Sequence, residues 1–151
     1  MKIVIQRVAE ATVEVEGRQV ARIGRGLLVL VGVDVDDTPA DAVYLAAKTA
    51  ALRVMNDDDG VMNRSVVDVD GELLAVSQFT LLASTRRGNR PSYIRAAKRP
   101  LSTDLFDLYV AELERVAGRR VQQGVFGADM KVGLVNDGPV TIVIDSKENG
   151  K

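Results

Sequence analysis

The sequence predicts a single α/β domain in which mostly antiparallel or mixed β-sheets pack with two main helices. A length of 151 residues corresponds to one domain. The 46% hydrophobic content is ordinary for a globular core, and 13 Gly with 4 Pro are near the usual share, which argues against a disordered or fibrous protein. Segments with the spacing of strands alternate with two segments of helical spacing. We therefore expect one domain over residues 1–151.

The first part of the chain is predicted to form strands. Residues 2–8 are a short β-rich run. Residues 12–16 alternate strictly, Gly17-Arg18 has the composition of a turn, and residues 19–23 resume the strand pattern, as in a β-hairpin. Residues 26–31 are apolar without alternation, which is typical of a central strand covered on both faces.

A first helix is predicted to follow. Thr38 is a suitable N-cap, Pro39 suits the first helical position, and Asp41 complements the helix dipole. Its apolar stripe at helical spacing is Val43, Ala46, Ala47, Ala50 and Val54. Residues 56–60 have the composition of a turn.

A second helix is predicted from Ser102 or Thr103 to Ala117, with Gly118 as a left-handed C-cap. Its stripe is Leu105, Leu108, Tyr109, Leu113 and Val116. The remaining extended segments are residues 61–69, 72–79, 131–135 and 140–144, the last two separated by a predicted turn at residues 136–139.

The chain contains no Cys and no His. These absences exclude a Ser-His-Asp triad, a Cys-His pair, and zinc sites built on thiolate or imidazole ligands. Proton transfer in an enzyme of this composition would come from a carboxylate, Lys, Tyr, the backbone or the substrate. We expect neither a metal nor another cofactor.

No segment has the length of a membrane span. The longest apolar stretch, residues 26–33, is far shorter than the roughly 20 residues that a membrane helix needs. Arg7 and Glu10 interrupt the N-terminus before a signal peptide's apolar region could form. We expect a cytoplasmic protein without a membrane partner.

The segment from Leu73 to Thr103 contains no acidic residue. Its basic residues are Arg86, Arg87, Arg90, Arg95, Lys98 and Arg99. One interpretation is an ordinary solvated loop. The other is a surface that contacts phosphates, where cations gain affinity by releasing counterions. Because the net charge is −1, such a local patch suits gripping one end of a nucleic acid better than coating it.

Two short motifs are candidates for a site. The residues Ser77, Gln78, Phe79 and Thr80 follow an apolar strand and lead into the basic segment. They are interpreted either as the floor of a site held by a rigid sheet or as a strand end whose polar groups are satisfied locally. The second motif, residues 136–141, is equally ambiguous, and its Gly138-Pro139 bond is a candidate for the cis form.

Together and in this order, these motifs resemble those of the D-aminoacyl-tRNA deacylases. The resemblance runs nearly end to end and departs from the family at no signature position. Its further matching segments are residues 5–8, 24–30, 90–92 and 126–130. It implies a homodimer that hydrolyses the ester joining a D-amino acid to the 3′ end of tRNA, with no cofactor and no DNA partner.

The resemblance also implies roles for single residues. A cis Gly138-Pro139 dipeptide would enter the active site of the partner subunit, and Arg7 would hold that loop in place. The loop's carbonyls would accept hydrogen bonds from the substrate ammonium group and leave no room for an L side chain. Since exclusion of this kind cannot reject glycine, glycyl-tRNA is an expected substrate. The adenosine end would lie against Phe79 and a pocket near Phe126 and Met130.

The family motif implies that Ser77, Gln78, Phe79 and Thr80 form the catalytic segment. Thr80 is a candidate nucleophile, but a Thr hydroxyl needs a base and the motif supplies none. We favour a substrate-assisted mechanism, in which the ribose 2′-OH helps to activate water and backbone N–H groups around Phe79 and Thr80 stabilise the oxyanion.

Two other function classes compete with this one. A non-catalytic, dimeric RNA-binding domain would explain the basic segment but would leave both motifs without a purpose. A general esterase is a third hypothesis, which activity on small esters without tRNA would support.

Overall fold

A computed structural model describes residues 1–148. These residues form one mixed sheet, two helices and a small hairpin, which confirms the predicted α/β class. The elements are β1 (Lys2–Val15), β2 (Arg18–Ile23), β3 (Gly26–Gly32), α1 (Pro39–Ala51), β4 (Met55–Asn56), β5 (Met62–Arg64), β6 (Glu72–Ser77), a 3₁₀ turn (Phe79–Leu82), α2 (Leu101–Ala117), β7 (Val121–Gln123) and β8 (Lys131–Asp145).

The main sheet has the strand order β2-β1-β3-β6-β7, and β8 also pairs with β1. β1 is antiparallel to β2, β3 and β8, whereas β3-β6 and β6-β7 are parallel pairs. The first half of β1 pairs with β3 and β8 at the same residues, so these two strands flank it on opposite edges. The mixed sheet agrees with the prediction.

The first strand is longer than predicted, because residues 2–8 and 12–16 join into the single strand β1. The hairpin to β2 is present, but Glu16 and Gly17 form its turn rather than Gly17-Arg18. Both turn residues have positive φ, 51° and 77°. This is the backbone of a type I′ turn, whose twist matches that of the flanking strands.

The predicted turn at residues 136–139 does not reverse the chain. Residues 131–145 form one strand, β8, which pairs with β1 on both sides of an irregularity. Thr141 lies opposite Gln6 and Asn136 lies opposite Val8, so the residues between them face Arg7 alone. These excess residues form a bulge that leaves the plane of the sheet. We call residues 137–140 the bulge loop.

Helix α1 begins as predicted, with Pro39 first and the Thr38 backbone N–H donating to Asp41 at 2.8 Å. It ends at Ala51 rather than near Val54. The predicted apolar stripe is partly wrong, because Val43 and Ala47 are exposed. The buried residues on the core-facing side are Ala42, Leu45, Ala46, Thr49 and Ala50.

Helix α2 also matches its prediction closely, since it begins at Leu101 and ends at Ala117, and the C-cap Gly118 has a φ of 68°. Its stripe is wider than predicted because Phe106 and Val110 are buried, whereas Val116 is partly exposed. The Tyr109 hydroxyl and the Thr49 hydroxyl lie 2.9 Å apart and join α2 to α1 inside the core.

Two further predictions are corrected near the site. The strand predicted over residues 72–79 ends at Ser77, and the chain continues as the 3₁₀ turn. Of residues 61–69 only Met62–Arg64 form a strand. No helix in the described part of the chain is long and apolar enough to cross a membrane.

Candidate active site

A cavity of about 470 Å³ opens where the sheet meets the N-terminus of α2. Three segments form its walls: the end of β6 with the residues after it, the approach to α2, and the β7–β8 connection. Its lining residues are Val76, Ser77, Gln78, Phe79, Ala97, Lys98, Arg99, Ser102, Phe126, Gly127, Ala128, Met130 and Val132.

The floor of the cavity is the first candidate motif. The Gln78 backbone N–H donates to Val31 at 2.7 Å, which fixes the end of β6 against β3. The chain then turns, and the Leu81 N–H donates to the Gln78 carbonyl at 3.2 Å. Because the strand stops here, Phe79 points outward and is 56% exposed at the rim.

Thr80 does not line the cavity. Its hydroxyl accepts a hydrogen bond of 2.5 Å from the Gln78 side-chain amide. Within residues 1–148, the partner of the Thr80 hydroxyl is this amide and no basic side chain. Gln78 therefore both lines the cavity and fixes the position of Thr80.

The opposite wall is held by Phe126 and Arg99. The guanidinium of Arg99 lies 5.1 Å from the centre of the Phe126 ring, and its Nη2 donates to the Phe126 carbonyl at 3.4 Å. Phe106 also contacts that ring edge-on, with centroids 5.8 Å apart. These two contacts help to fix the orientation of Phe126.

The cavity has a positive and largely apolar lining. Its charged residues are Lys98 and Arg99, and no carboxylate lines it within the described chain. Residues 1–148 also contain no group of three or more acidic side chains that could hold a metal ion. The site therefore provides hydroxyl, amide and backbone groups for chemistry and cations for binding a negatively charged ligand.

Arg7 anchors the bulge loop from inside the fold. Its side chain is buried, and Nε donates to the Asp137 carbonyl at 2.9 Å. Nη1 donates to the Val54 carbonyl at 2.9 Å and to the Asn56 amide oxygen at 3.2 Å. The planar guanidinium presents its N–H donors in a fixed geometry, which lets Arg7 hold these three acceptors together.

The bulge loop carries the second candidate motif. The Gly138-Pro139 bond is cis, as the resemblance implied, and Gly138 has a φ of 125°. Both residues are exposed, and neither lines the cavity of its own chain. Arg7 lies directly beneath the loop, since a Cβ on Gly138 would meet Nη2 of Arg7 at 2.9 Å.

An apolar groove of about 400 Å³ borders the cavity on the face of the sheet. Its lining residues are Val4, Gln6, Leu28, Leu30, Gln78, Val132, Leu134 and Thr141. Gln78 and Val132 belong to both the groove and the cavity. The side-chain oxygen of Gln6 is buried there without a hydrogen-bond partner. We call this surface the sheet groove.

The structure brings together five of the residues singled out from the sequence: Ser77, Gln78, Phe79, Phe126 and Met130. Thr80 lies immediately behind them, whereas Arg7, Gly138 and Pro139 form the separate bulge loop. Sequence reasoning assigned no cavity role to Lys98, Arg99 or Ser102, although the basic segment was a signal for the first two. The support that Val54 and Asn56 give Arg7 had no signal in the sequence.

The fold is shared with solved structures. One, titled "c-Myc DNA Unwinding Element Binding Protein", superposes with a TM-score of 0.89 at 38% identity, covering 96% of this chain and 98% of that one. Another, titled "Structural Analysis of a probable eukaryotic D-amino acid tRNA deacylase", has a TM-score of 0.82 at 15% identity, covering 95% and 97%. The second likeness concerns the fold alone.

Sequence comparison gives the family. The family model described as D-Tyr-tRNA(Tyr) deacylase matches residues 4–145. A D-aminoacyl-tRNA deacylase of Flavobacterium johnsoniae is 54% identical and one of Chromobacterium violaceum is 55% identical, each over 97% of this chain and 98% of the relative. The chain belongs to the D-Tyr-tRNA(Tyr) deacylase family, and the resemblance drawn from its motifs is confirmed.

Proposed function

We propose that this protein hydrolyses the ester bond of D-aminoacyl-tRNA and releases free tRNA and the D-amino acid. The observation that carries the proposal is an identity above 50% over nearly the whole chain with proteins that bear this activity as their name. The cavity agrees with it, because Lys98 and Arg99 suit an RNA 3′ end. Such hydrolysis is a proofreading step, and it belongs in the cytoplasm, where charged tRNA is used.

A homodimer completes the site in this proposal. The bulge loop is exposed and lines no part of its own cavity, so it is free to enter the cavity of a second copy. The sheet groove is apolar, and burial of apolar surface is the main driving force for such association. A two-fold axis would then place each bulge loop in the partner's site.

Chirality is judged by exclusion. Carbonyl groups of the partner's Gly138-Pro139 segment accept hydrogen bonds from the substrate ammonium group and occupy the space where an L side chain would project. Arg7 keeps the loop in position by holding the Asp137 carbonyl. Since this selection makes no contact with any particular side chain, many D-amino acids fit, and glycyl-tRNA is hydrolysed as well.

The terminal adenosine lies against Phe79 and in the pocket near Phe126 and Met130. Hydrolysis is assisted by the ribose 2′-OH, which helps to activate the attacking water. The first N–H groups of the 3₁₀ turn, those of Phe79 and Thr80, stabilise the oxyanion; in this turn Leu81 N–H already donates to Gln78. One such donor typically contributes about 10²–10³ in rate. No cofactor is required.

The test is hydrolysis of matched D- and L-tyrosyl-tRNA, with glycyl-tRNA beside them, by purified metal-free protein. We expect rapid loss of the D-ester and of the glycyl ester, with the L-ester untouched. If a folded dimer hydrolysed none of the three, the proposed activity would be wrong.

A non-catalytic, dimeric RNA-binding domain is the alternative function. It agrees with the basic segment and with the nucleic-acid-binding title of one structural relative. Arg7→Ala or Pro139→Ala distinguishes the two functions, since a binding domain should barely respond, whereas a chiral site should lose activity or admit L-esters. That DNA is not the partner remains a prediction, which competition with single-stranded DNA would test. Activity on small esters without tRNA would favour a general esterase.

A further inference from the structure

A closed loop beside the cavity presents three arginines. The backbone groups of Ser84 and Ser92 exchange two hydrogen bonds, of 2.8 and 2.9 Å, and so tie the two ends of the loop together. Arg86, Arg87 and Arg90 lie between them and surround a depression of about 270 Å³. Its full lining is Ser84, Arg86, Arg87, Arg90, Ser92 and Ile94. The two backbone hydrogen bonds keep the three arginines on one short closed loop.

The three arginines are not neutralised within the protein. All are exposed, and none forms an ion pair within residues 1–148. Arg95, in the same basic segment, is different because its guanidinium lies 2.5 Å from Asp34 and 2.7 Å from Asp36. Hydrogen bonds to these two carboxylates raise the pKa of Arg95. Outside the cavity, which holds Lys98 and Arg99, the depression is therefore the part of this segment whose positive charge no carboxylate neutralises in residues 1–148.

An aromatic pair connects the depression to the cavity. Phe79, at the cavity rim, contacts Tyr93 edge-on, with ring centroids 5.1 Å apart. Tyr93 stands between Ser92 and Ile94, which both line the depression. Its side chain is partly exposed, and Ile94 is 81% exposed. An apolar, solvent-facing surface thus continues from the cavity to the arginines.

We propose that this surface binds the single-stranded nucleotides that precede the terminal adenosine of the substrate. A base stacks on Tyr93, and Arg86, Arg87 and Arg90 contact the phosphates beside it. Exposed aromatic rings combined with cations are how proteins bind single strands without reading their sequence. This inference rests on the proposed function, since it gives the same substrate a second region of contact outside the cavity.

The first test is the salt dependence of hydrolysis. In the variant Arg86→Gln/Arg87→Gln/Arg90→Gln, we expect kcat/KM on D-tyrosyl-tRNA to fall at least tenfold at low salt. The slope of log kcat/KM against log salt concentration should become shallower by about 0.7 for each phosphate that the variant no longer neutralises, about 2 for all three arginines. A slope that stays as steep as in the wild type would overturn the proposal.

A matched variant controls for the change in net charge. Arg18, Arg25 and Arg120 are exposed, form no ion pair in the described chain and line none of the cavities named above. Changing these three to Gln removes the same charge elsewhere on the surface. We expect this control to retain the wild-type slope. An equally shallow slope in both triple variants would mean that the salt dependence reflects net charge alone. That result would overturn the proposal of a local binding site.

Tyr93 tests the stacking half of the proposal. We expect Tyr93→Ala to lower kcat/KM on D-tyrosyl-tRNA about tenfold, since one base–aromatic stack contributes roughly that much. Tyr93→Phe keeps the ring and should retain the rate. Hydrolysis of D-tyrosyl-adenosine, which lacks the preceding nucleotides, should be unchanged in Tyr93→Phe and in the arginine variant, and it should fall less in Tyr93→Ala than hydrolysis of D-tyrosyl-tRNA does. A parallel loss of rate on this small ester would mean that the cavity itself was damaged, against the proposal.

Failure of this inference and failure of the proposed function give different results. If the wild type leaves D-tyrosyl-tRNA intact, the proposed function fails. If the wild type is active and the arginine variant behaves like its control, only the inference fails. This surface could instead belong to the subunit interface, which sedimentation of each variant at the assay concentration tests. A variant that became monomeric would assign the loop to that interface and overturn RNA binding.

Discussion

Replacing Thr80 tests whether the protein supplies the nucleophile or the substrate assists its own hydrolysis. Gln78 donates to it at 2.5 Å, and no carboxylate or imidazole is available in the cavity lining to remove its proton. We expect Thr80→Val to retain kcat/KM within about tenfold on D-tyrosyl-tRNA, whereas removal of a true nucleophile costs roughly 10⁴-fold or more. Single-turnover hydrolysis measures the chemical step directly.

A substrate control completes the Thr80 experiment. D-tyrosyl-tRNA ending in 2′-deoxyadenosine lacks the vicinal hydroxyl, so the substrate-assisted mechanism predicts a large loss of rate with the unmodified protein. Full activity on this substrate together with an inactive Thr80→Val variant that still binds tRNA would establish Thr80 as the nucleophile.

Single residues were predictable where their chemical types form a dense local motif. Ser77, Gln78 and Phe79 stand together at the end of an apolar strand, and the structure places all three on one cavity wall. Asn56 could not be found in this way. It contacts Arg7 across 49 positions of sequence, and only the folded chain brings the two together.

At the scale of elements, Gly26 sets the distance between the parallel strands β3 and β6. A Cβ at this position would overlap the backbone oxygen and nitrogen of Glu72. We expect Gly26→Ala to lower the free energy of unfolding by about 3 kcal/mol, because neither strand backbone can move aside cheaply. Urea unfolding of the purified variant measures the loss.

Gly24 is the matched control for that substitution. A Cβ there would meet only the flexible end of the Glu72 side chain, at 3.1 Å. Gly24→Ala should therefore cost well under about 1 kcal/mol. Equal stability of the two variants would show that the strands can separate at Gly26.

The contact between α1 and α2 predicts a pH dependence of stability. Tyr109 is fully buried; burial raises the pKa of its hydroxyl, and the hydrogen bond with Thr49 only partly opposes this. The unfolded chain loses the proton above about pH 10, while the folded chain keeps it. Stability is thus lost as the pH rises, by about 1.4 kcal/mol per pH unit from this group.

Tyr109→Phe isolates that contribution. It should cost about 1 kcal/mol at neutral pH, because the hydrogen bond to Thr49 is removed. Above about pH 10 the free energy of unfolding should fall less steeply with pH in the variant than in the wild type, by about 1.4 kcal/mol per pH unit. Urea unfolding at several alkaline pH values measures both slopes, and parallel slopes would contradict burial of an ionisable hydroxyl.

Elements were predictable where local signals decide them. Thr38-Pro39 and Gly118 marked the helix ends because capping depends on nearby backbone groups. The bulge loop was interpreted as a turn because its Gly and Pro content is that of a turn. Pairing with β1 on both sides overrides this composition and keeps β8 one strand. A partner strand so distant in sequence leaves no local signal.

At the scale of the whole molecule, the fold class followed from the pattern of elements but the strand order did not. The crossover from β3 to β6 brings residues 77–79 beside the start of α2, and thereby creates the cavity. The same topology leaves most of β8 exposed, and its bulge loop lines no part of that cavity. The completed site is therefore a property of the proposed dimer, which can be tested by mixing two defective chains.

One defective chain has a blocked cavity and the other a displaced bulge loop. Ala128→Trp fills the cavity that Ala128 lines and leaves the loop intact. Gly138→Ala leaves the cavity open, but its Cβ would lie 2.9 Å from Arg7 at a φ of 125°, which L residues rarely adopt. Each variant alone should be inactive on D-tyrosyl-tRNA, with circular dichroism confirming that it folds.

Refolded together, the two variants should recover about a quarter of the wild-type activity. Random pairing makes about half of the dimers mixed, and in a two-fold dimer each mixed pair joins one open cavity to one intact loop from the other subunit. The second cavity of that pair remains blocked. If each chain instead completed its own site, neither subunit of a mixed pair would hold both functional parts and the mixture would stay inactive. Recovery of activity thus requires the bulge loop to act across the subunit interface.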